Sequence, residues 1–156
     1  MNGTTAFPPT IASFSGEYQF LSNFWDATVS LEGESYRSTE SAFQAAKTLN
    51  PDERKEIRME LTPGRAKRLG RRVQLRPDWD RIKDDVMLEL VRQKFTRHPD
   101  LAARLLATGH ATLIEGNTWR DTYWGVCDGA GQNKLGQILM KVRGELRDLQ
   151  SELEQI

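Results

Sequence analysis

The sequence predicts an α+β fold: a compact, mainly helical single domain with a small β-hairpin or sheet. Its 156 residues suit one domain built around one hydrophobic core. Several segments repeat apolar residues at the spacing of an amphipathic helix, whereas shorter apolar runs have the length of strands. We expect residues 11–148 to form the domain, residues 1–10 to be a loose leader and residues 149–156 to be a polar tail.

The first third of the chain predicts a strand, a hairpin and a helix. Residues 11–14 form a short apolar run that suits a strand. The turn Glu32-Gly33-Glu34 divides residues 27–37 into the two arms of a hairpin. Ser38 then has the side chain of a helix cap, and Asn50-Pro51 ends the helix that it opens.

Four further helices and one strand are predicted in the rest of the chain. Thr62-Pro63 and His98-Pro99 each place proline at the first position of a helix. Asp78 caps a longer helix between them. Residues 111–115 form a short apolar strand, and glycine-rich loops separate it from a last helix that begins near Asn133.

The composition limits the class of protein. The 22 basic residues balance 22 acidic ones, which argues against a general polyanion-binding protein. Cys127 is the only cysteine, so an internal disulfide is excluded and we expect a reducing compartment, the cytoplasm. No apolar run is long enough to cross a membrane. The two histidines and one cysteine lack the spacing of zinc ligands, so no metal site is predicted.

One segment departs from this balance of charge. Residues 65–76, RAKRLGRRVQLR, contain six basic residues and no acidic one. A solvated helix surface is the ordinary explanation of such a run. A surface that binds phosphate is the alternative, and it gains weight only if the substrate is phosphorylated.

The helix opened by Ser38 carries polar side chains on one side. Offsets of three, four and seven residues from the first member place one stripe along it: Glu40, Phe43, Gln44 and Lys47. The complementary side is small and apolar, and we expect it to pack inward: Ala42, Ala45, Ala46 and Leu49. A solvated face explains a first-turn glutamate and a last-turn lysine, but it seldom includes a phenylalanine. We therefore favour a carboxylate, an amide and an amine that point into a cleft.

Aromatic residues also gather in the loop NTWRDTYWGVCDGAGQNKLG. Exposed aromatic side chains are unfavourable in water, so they fill the core or stack on a ligand. We expect Trp119 to fill the core, while core packing and ligand stacking are equal alternatives for Trp124. Nearer the start of the chain, Asn23 lies between apolar residues, where it caps a turn or binds the edge of a ligand.

Four of these segments together resemble the NADAR family, also called the YbiA-like family. They are LSNF at residues 21–24, STESAFQAAK at 38–47, DTYWG at 121–125 and GQNKLGQILMKVR at 131–143. Residues 76–87 are also similar to the family's middle helix. Each motif alone is weak, but four motifs in the family's order are specific, and they spread over nearly the whole chain.

The resemblance implies an enzyme that cleaves N-glycosidic bonds. Family members hydrolyse phosphorylated ribosylamino-pyrimidine intermediates of riboflavin synthesis or remove ADP-ribose from modified guanine. The family's catalytic positions correspond to Glu40, Lys47 and Asp121. The positions expected to bind substrate are Ser22, Asn23, Phe24, Phe43, Gln44, Trp79, Trp124 and Gly125.

The residue types suit this chemistry. Breaking a C1′–N bond builds positive charge on the sugar, which the Glu40 carboxylate would stabilise. Lys47 would form an ion pair with Glu40 or trap the opened sugar as a Schiff base, and both roles stay open. No metal or cofactor is implied. The expected partner is a small-molecule nucleotide or ADP-ribosylated guanine, free or within DNA or RNA, with no membrane and with the oligomeric state left open.

Two other functions compete with the enzyme. The first is a non-catalytic module that binds ADP-ribose, but a binder has no need of both Glu40 and Lys47. The second is a nucleic-acid accessory protein that uses residues 65–76, whose binding would weaken sharply with salt. If the substrate is phosphorylated, Arg65, Lys67 and Arg68 lie close enough to a helix N-terminus to supply donors for the phosphate.

Overall fold

A computed structural model of the chain describes residues 9–156. Within them, six α-helices form most of the fold: α1 Thr39–Ala46, α2 Pro51–Met59, α3 Pro63–Gly70, α4 Trp79–Arg97, α5 Pro99–Ala107 and α6 Lys134–Glu154. Four strands and one 3₁₀ helix complete it: β1 Thr10–Ile11, the 3₁₀ helix Gly16–Leu21, β2 Val29–Leu31, β3 Glu34–Tyr36 and β4 Thr112–Leu113. The prediction of a mainly helical α+β domain is confirmed. At the start of the 3₁₀ helix, the Ser15 side chain makes no capping hydrogen bond.

The strands form two small sheets. β1 and β4 pair in parallel, with Ile11 opposite Leu113, and both are shorter than the predicted apolar runs. β2 and β3 form the predicted antiparallel hairpin. Its turn places Glu32 at a φ of 49° and Gly33 at a φ of 85°, the pair of positive values that a two-residue hairpin turn requires.

The first helix, α1, lies at the centre of the fold. All eight of its residues are buried, because α2, α3 and α4 pack around it. The inward packing predicted for Ala42, Ala45 and Ala46 is confirmed, whereas Leu49 lies beyond the end of the helix and is exposed. A helix buried on every side must bring its polar side chains into the interior or into a cleft. The polar residues Glu40 and Gln44 are therefore inside the molecule.

Side-chain caps fix where the first two helices begin. The Ser38 hydroxyl accepts a hydrogen bond from the Ser41 backbone N–H at 3.1 Å, as the sequence predicts. The Asn50 side chain accepts one from the Asp52 backbone N–H at 2.8 Å. Asn50-Pro51 therefore starts a second helix, α2, in addition to ending the first, and the sequence interpretation missed it. The apolar pattern of α2 is weak because Ile57 is its only buried residue.

The two long helices support the other side of the core. α4 packs against both α1 and α6. Of its apolar residues, Trp79, Leu90 and Phe95 are buried, while Ile82 and Val86 are partly buried against the core. α6 also packs against β4, so the loop between them is anchored at both ends. No helix among residues 9–156 has the length and apolar character needed to cross a membrane.

The structure describes residues 9–10 of the predicted leader and all of the predicted tail. Most of the predicted leader, residues 1–8, lies outside the described residues, and Thr10 already belongs to β1. At the other end, α6 continues to Glu154. Residues 149–154, predicted as a polar tail, are therefore helical, and their side chains are exposed.

Candidate active site

A cleft of about 350 Å³ opens beside α1 and the loop that follows β4. We call one side the helical wall: Glu40, Phe43, Gln44 and Lys47 of α1 with Lys67 of α3. We call the other side the loop wall: Glu115, Trp119, Asp121 and Trp124. Residues 22–24 also line the cleft, and so do residues 13–15, Met87, Gly116 and Leu135. All the predicted site residues line this cleft except Trp79 and Gly125.

Glu40 is held in the helical wall by its own helix and by the segment before it. The Gln44 side-chain amide donates to Glu40 Oε1 at 2.8 Å, and the Glu40 backbone N–H donates to the Asn23 carbonyl at 3.0 Å. The side chain is only 7% exposed. Burial raises the pKa of Glu40, while the Gln44 hydrogen bond and the cations Lys67 and Lys47 act to lower it.

Lys47 lies at the end of α1, half-buried beside Glu40. Burial lowers the pKa of its ammonium group, the charge of Glu40 opposes that effect, and Lys67 adds to it. Its Nζ lies 5.9 Å from the centre of the Phe43 ring. Within residues 9–156, Lys47 and Glu40 form no ion pair shorter than 4 Å. The two groups therefore share the cleft without neutralising each other by direct contact.

The aromatic side of the cleft joins the two walls. Phe43 meets Trp124 edge to face, with ring centres 5.3 Å apart. Trp79 packs behind Phe43, with ring centres 5.0 Å apart, and it is buried rather than exposed to the cleft. Tyr123 also packs edge to face with Trp124, with ring centres 4.9 Å apart. Trp124 thus contacts two other rings and still lines the cleft.

A buried lysine supports residues 22–24 from behind. Lys94 is 1% exposed, and its Nζ donates to the carbonyls of Phe20 at 2.6 Å and Ser22 at 2.9 Å. Burial lowers the pKa of Lys94 to about 7. On the cleft side, the Asn23 amide lies 3.4 Å from the Met87 sulfur. Lys94 therefore anchors the backbone that carries Ser22 and Asn23.

Asp121 organises the backbone of the loop wall. Its Oδ1 accepts hydrogen bonds from the backbone N–H groups of Tyr123 at 3.1 Å and Trp124 at 2.9 Å. The Asn117 side chain bonds the Asp121 backbone at both its N–H and its carbonyl. One carboxylate oxygen of Asp121 is thus committed to holding Trp124 in place.

Some residues of the cleft fall outside the predicted site. Trp119 is 60% exposed and lines the cleft, so the prediction that it fills the core is wrong. Lys67 Nζ lies 5.8 Å from the ring centres of both Phe24 and Trp119, and these two rings are the exposed aromatics of the cleft mouth. Glu115 also lines the cleft. It ends the predicted strand just before a glycine-rich loop, which is a weak signal for a site residue.

The basic segment contributes one side chain to the cleft. Of the three residues considered as phosphate donors, Lys67 lines the cleft, whereas Arg65 and Arg68 are exposed outside it. At the end of the segment, Arg76 pairs with Asp78 at 2.6 Å. Most of the segment is therefore a solvated surface. Among residues 9–156, no cluster of three histidine, cysteine, aspartate or glutamate side chains could hold a metal ion.

Known proteins share this sequence and fold. The sequence profile of the NADAR domain matches residues 12–147. The chain belongs to the NADAR family. N-glycosidase YbiA of Escherichia coli is 40% identical over 137 residues, which are 86% of this chain and 85% of that protein. The NMR structure of E. coli YbiA has a TM-score of 0.84 and 36% identity, and the match covers 95% of this chain and 90% of that one.

The chain is also similar to part of a longer protein that is named for riboflavin biosynthesis. A riboflavin biosynthesis protein of Vibrio vulnificus is 38% identical over 132 residues. This NADAR chain spans only 36% of that protein's length. The predicted family is confirmed by these matches, and so is the prediction of an enzyme of the N-glycosyl hydrolase class.

Proposed function

We propose that the chain hydrolyses the C1′–N bond of a ribosyl or ADP-ribosyl substrate in the cleft between the helical wall and the loop wall. The main support for this proposal is that the buried Glu40 carboxylate lines an aromatic cleft that Lys47 also lines. A carboxylate removed from water interacts strongly with charge that develops next to it. Positive charge develops on the sugar ring as the C1′–N bond breaks.

The cleft offers a separate role to each remaining group. Trp124, held by Phe43 and Tyr123, provides a face on which the leaving base stacks. Lys67 stands at the mouth between Phe24 and Trp119, where a phosphate on the substrate would meet its ammonium group. Lys47 either balances the charge of Glu40 or traps the opened sugar as an imine.

Two substrate classes suit this arrangement. The first is a phosphorylated ribosylamino-pyrimidine of riboflavin synthesis, and the name of the Vibrio relative supports it. The second is ADP-ribosylated guanine, as a free nucleotide or within DNA or RNA. Both present a ribosyl C1′–N bond, a flat base and at least one phosphate. The single cysteine, Cys127, suits the reducing cytoplasm as the place of the reaction.

The direct test incubates the purified protein with each substrate class and follows the products by mass. We expect release of the free base or amino-pyrimidine together with the free sugar phosphate or ADP-ribose. The Glu40→Gln variant is the control for contaminating hydrolases. If the wild type releases neither product, or releases it no faster than Glu40→Gln, the proposal is wrong.

A further inference from the structure

We infer that Glu115 is the general acid that gives a proton to the leaving nitrogen. The inference rests on the proposed function and adds a second catalytic carboxylate to it. Glu115 lines the same cleft as Glu40 but belongs to the loop wall. A carboxyl group can protonate a leaving nitrogen only if the fold places it in the cleft and keeps it protonated near neutral pH.

The backbone of Glu115 is fixed on both sides. Its N–H donates to the Asn133 side chain at 3.0 Å, and its carbonyl accepts from the Val126 N–H at 2.9 Å. Asn133 stands at the start of α6, and its amide also donates to the Leu113 carbonyl of β4 at 2.9 Å. The position of Glu115 therefore follows from the packing of α6 on β4.

Asn117 and Gly125 define the position of the Glu115 carboxyl group. The Asn117 amide donates to Oε2 at 3.0 Å, and the same amide donates to the Asp121 carbonyl at 2.9 Å. A Cβ at position 125 would lie 1.8 Å from Oε2, so only Gly125 leaves room for this side chain. The other oxygen, Oε1, receives no hydrogen bond from residues 9–156. One oxygen is thus anchored and the other is left for a ligand in the cleft.

The surroundings of Glu115 favour its protonated form. Burial raises its pKa to about 7, and the charges of Asp121 and Glu40 act in the same direction. The Asn117 hydrogen bond and Lys67 oppose the rise. Lys47 lowers the pKa of Glu40 but has no such effect on Glu115, so this cation favours ionisation of Glu40 and not of Glu115.

The reaction step then balances. The C1′–N bond breaks, its electron pair stays on nitrogen, and nitrogen takes the proton of Glu115. The positive sugar faces the Glu40 carboxylate until water adds to C1′ and gives its proton to Glu40. Exchange with solvent returns Glu40 to the anion and Glu115 to the acid.

The test compares two leaving groups in the full-length protein. The first substrate is the ribosylamino-pyrimidine phosphate or ADP-ribosylated guanine that the wild type cleaves. The second is a pyridinium riboside 5′-phosphate, whose leaving group departs as a neutral pyridine and takes no proton. Glu115→Gln should lower kcat/KM for the first substrate by about 10²- to 10⁴-fold and should change it for the second by less than about fivefold. Glu40→Gln should slow both, and Glu56→Gln, on the exposed side of α2, should slow neither.

The pH profile gives a second and independent measurement. With the first substrate, kcat/KM of the wild type should fall as pH rises above about 7, because Glu115 loses its proton there. Because the pKa of Lys47 is also lowered, the alkaline fall is assigned to Glu115 only if it is absent from the residual activity of Glu115→Gln or, where that variant does not fold, of Glu115→Ala. Equal losses on both substrates, full activity of Glu115→Gln, or a wild-type profile that stays flat above pH 7 would each overturn the assignment. A wild type that cleaves nothing would instead overturn the proposed function itself.

Discussion

The helical wall and the loop wall each hold a carboxylate, but they hold it by different means. Glu40 lies in a regular helix and takes a hydrogen bond from Gln44, one turn further along the same helix. Glu115 lies after a two-residue strand and takes its hydrogen bond from Asn117 in the loop. Burial raises the pKa of both. Lys67 lowers the pKa of both glutamates, whereas Lys47 favours the ionised form of Glu40 alone.

In the proposed mechanism, this difference lets one residue type supply two chemical roles in one small cleft. A carboxylate that faces a developing cation must keep its charge, whereas a carboxyl group that faces a leaving nitrogen must keep its proton. Lys47 is the charge that distinguishes the two carboxyl groups, because Asp121 raises and Lys67 lowers the pKa of both. Substitutions in each wall should therefore have different kinetic signatures.

The largest effect should come from Glu40→Gln in the helical wall. The variant keeps the shape and the Gln44 contact, but it loses the charge that stabilises the sugar cation in the proposed mechanism. We expect kcat/KM to fall about a thousandfold or more, with an unchanged far-UV circular dichroism spectrum and melting temperature. Near-native turnover in a folded Glu40→Gln protein would remove Glu40 from the mechanism.

Lys47 should be almost as sensitive. Lys47→Ala removes the charge that favours the Glu40 anion, and it should impair cleavage about as severely as loss of Glu40 while α1 stays formed. Lys47→Arg keeps the charge but cannot form an imine with an opened ribose.

The arginine variant separates the two roles left open for Lys47. Loss of activity in Lys47→Arg, with borohydride trapping of sugar on the wild type, would support the Schiff base. Retained activity in Lys47→Arg, with no trapped sugar, would support the ion pair. Full activity in Lys47→Ala would show that Lys47 takes no part in cleavage.

Lys94, which anchors residues 22–24, should affect the free energy of unfolding rather than turnover. In the folded protein the pKa of Lys94 is about 7, below its ordinary value of about 10.4 in the unfolded chain. The unfolded state therefore binds more protons between these values, so the free energy of unfolding should rise with pH from 7 to 9.5. Each pH unit in this window adds at most about 1.4 kcal/mol, which gives a total rise of up to about 3 kcal/mol.

Lys94→Met is the variant that isolates this effect. Denaturant unfolding of both proteins at pH 7 and pH 9.5 should show a smaller rise in the variant, because the titrating group is gone. The difference between the two proteins cancels other groups that titrate in this range. An identical rise in both proteins would contradict the assignment to Lys94.

The helical wall could be predicted from the sequence because a helix fixes the direction of its side chains. Offsets of three, four and seven residues place Glu40, Gln44 and Lys47 on one stripe in any regular helix, and Ser38 marks where that helix starts. The buried side of the helix could also be predicted, because Ala42, Ala45 and Ala46 are small and apolar. The hairpin followed in the same way from local turn chemistry.

The loop wall could be predicted only in part. The family motif identified Asp121 and Trp124, but the place of Glu115 depends on hydrogen bonds from Asn117 and Asn133 that no local pattern encodes. Backbone geometry adds to the difficulty, because the loop contains non-glycine residues with positive φ, at Arg120 and Asp128. Such positions set side-chain directions that periodicity cannot describe.

The positions of Trp119 and Lys94 also could not be predicted from the sequence, for two separate physical reasons. Trp119 was expected in the core because exposed aromatic surface is unfavourable, yet its ring lies at the cleft mouth near the Lys67 ammonium, a contact that offsets part of that cost. Lys94 looks like any charged residue of a long helix. Its partners are backbone carbonyls more than seventy residues earlier, so only the tertiary structure identifies it as an anchor.

In the loop wall, Trp124→Ala should have a moderate effect on binding. Stacking of a base on an aromatic ring contributes about 1 to 3 kcal/mol, which corresponds to a five- to 150-fold weaker Kd for substrate or product base. Trp119→Ala, at the exposed mouth, is the comparison and should weaken binding less. A large loss of thermal stability in Trp124→Ala without a specific loss of binding would show that Trp124 serves the core.

The smallest expected effect concerns Lys67, the cation that the basic segment contributes to the helical wall. A partly exposed ion pair with a substrate phosphate is worth about 1 kcal/mol or less, so Lys67→Ala should raise KM by about two- to fivefold. The rise should shrink at high salt, because screening weakens the pair in the wild type, and it should vanish on a substrate that lacks the phosphate. Arg68→Ala, one residue along α3 and outside the cleft, is the matched control and should leave KM unchanged. Equal effects of Lys67→Ala and Arg68→Ala would mean that the whole segment attracts the substrate from a distance, and Lys67 would then have no particular place in the site.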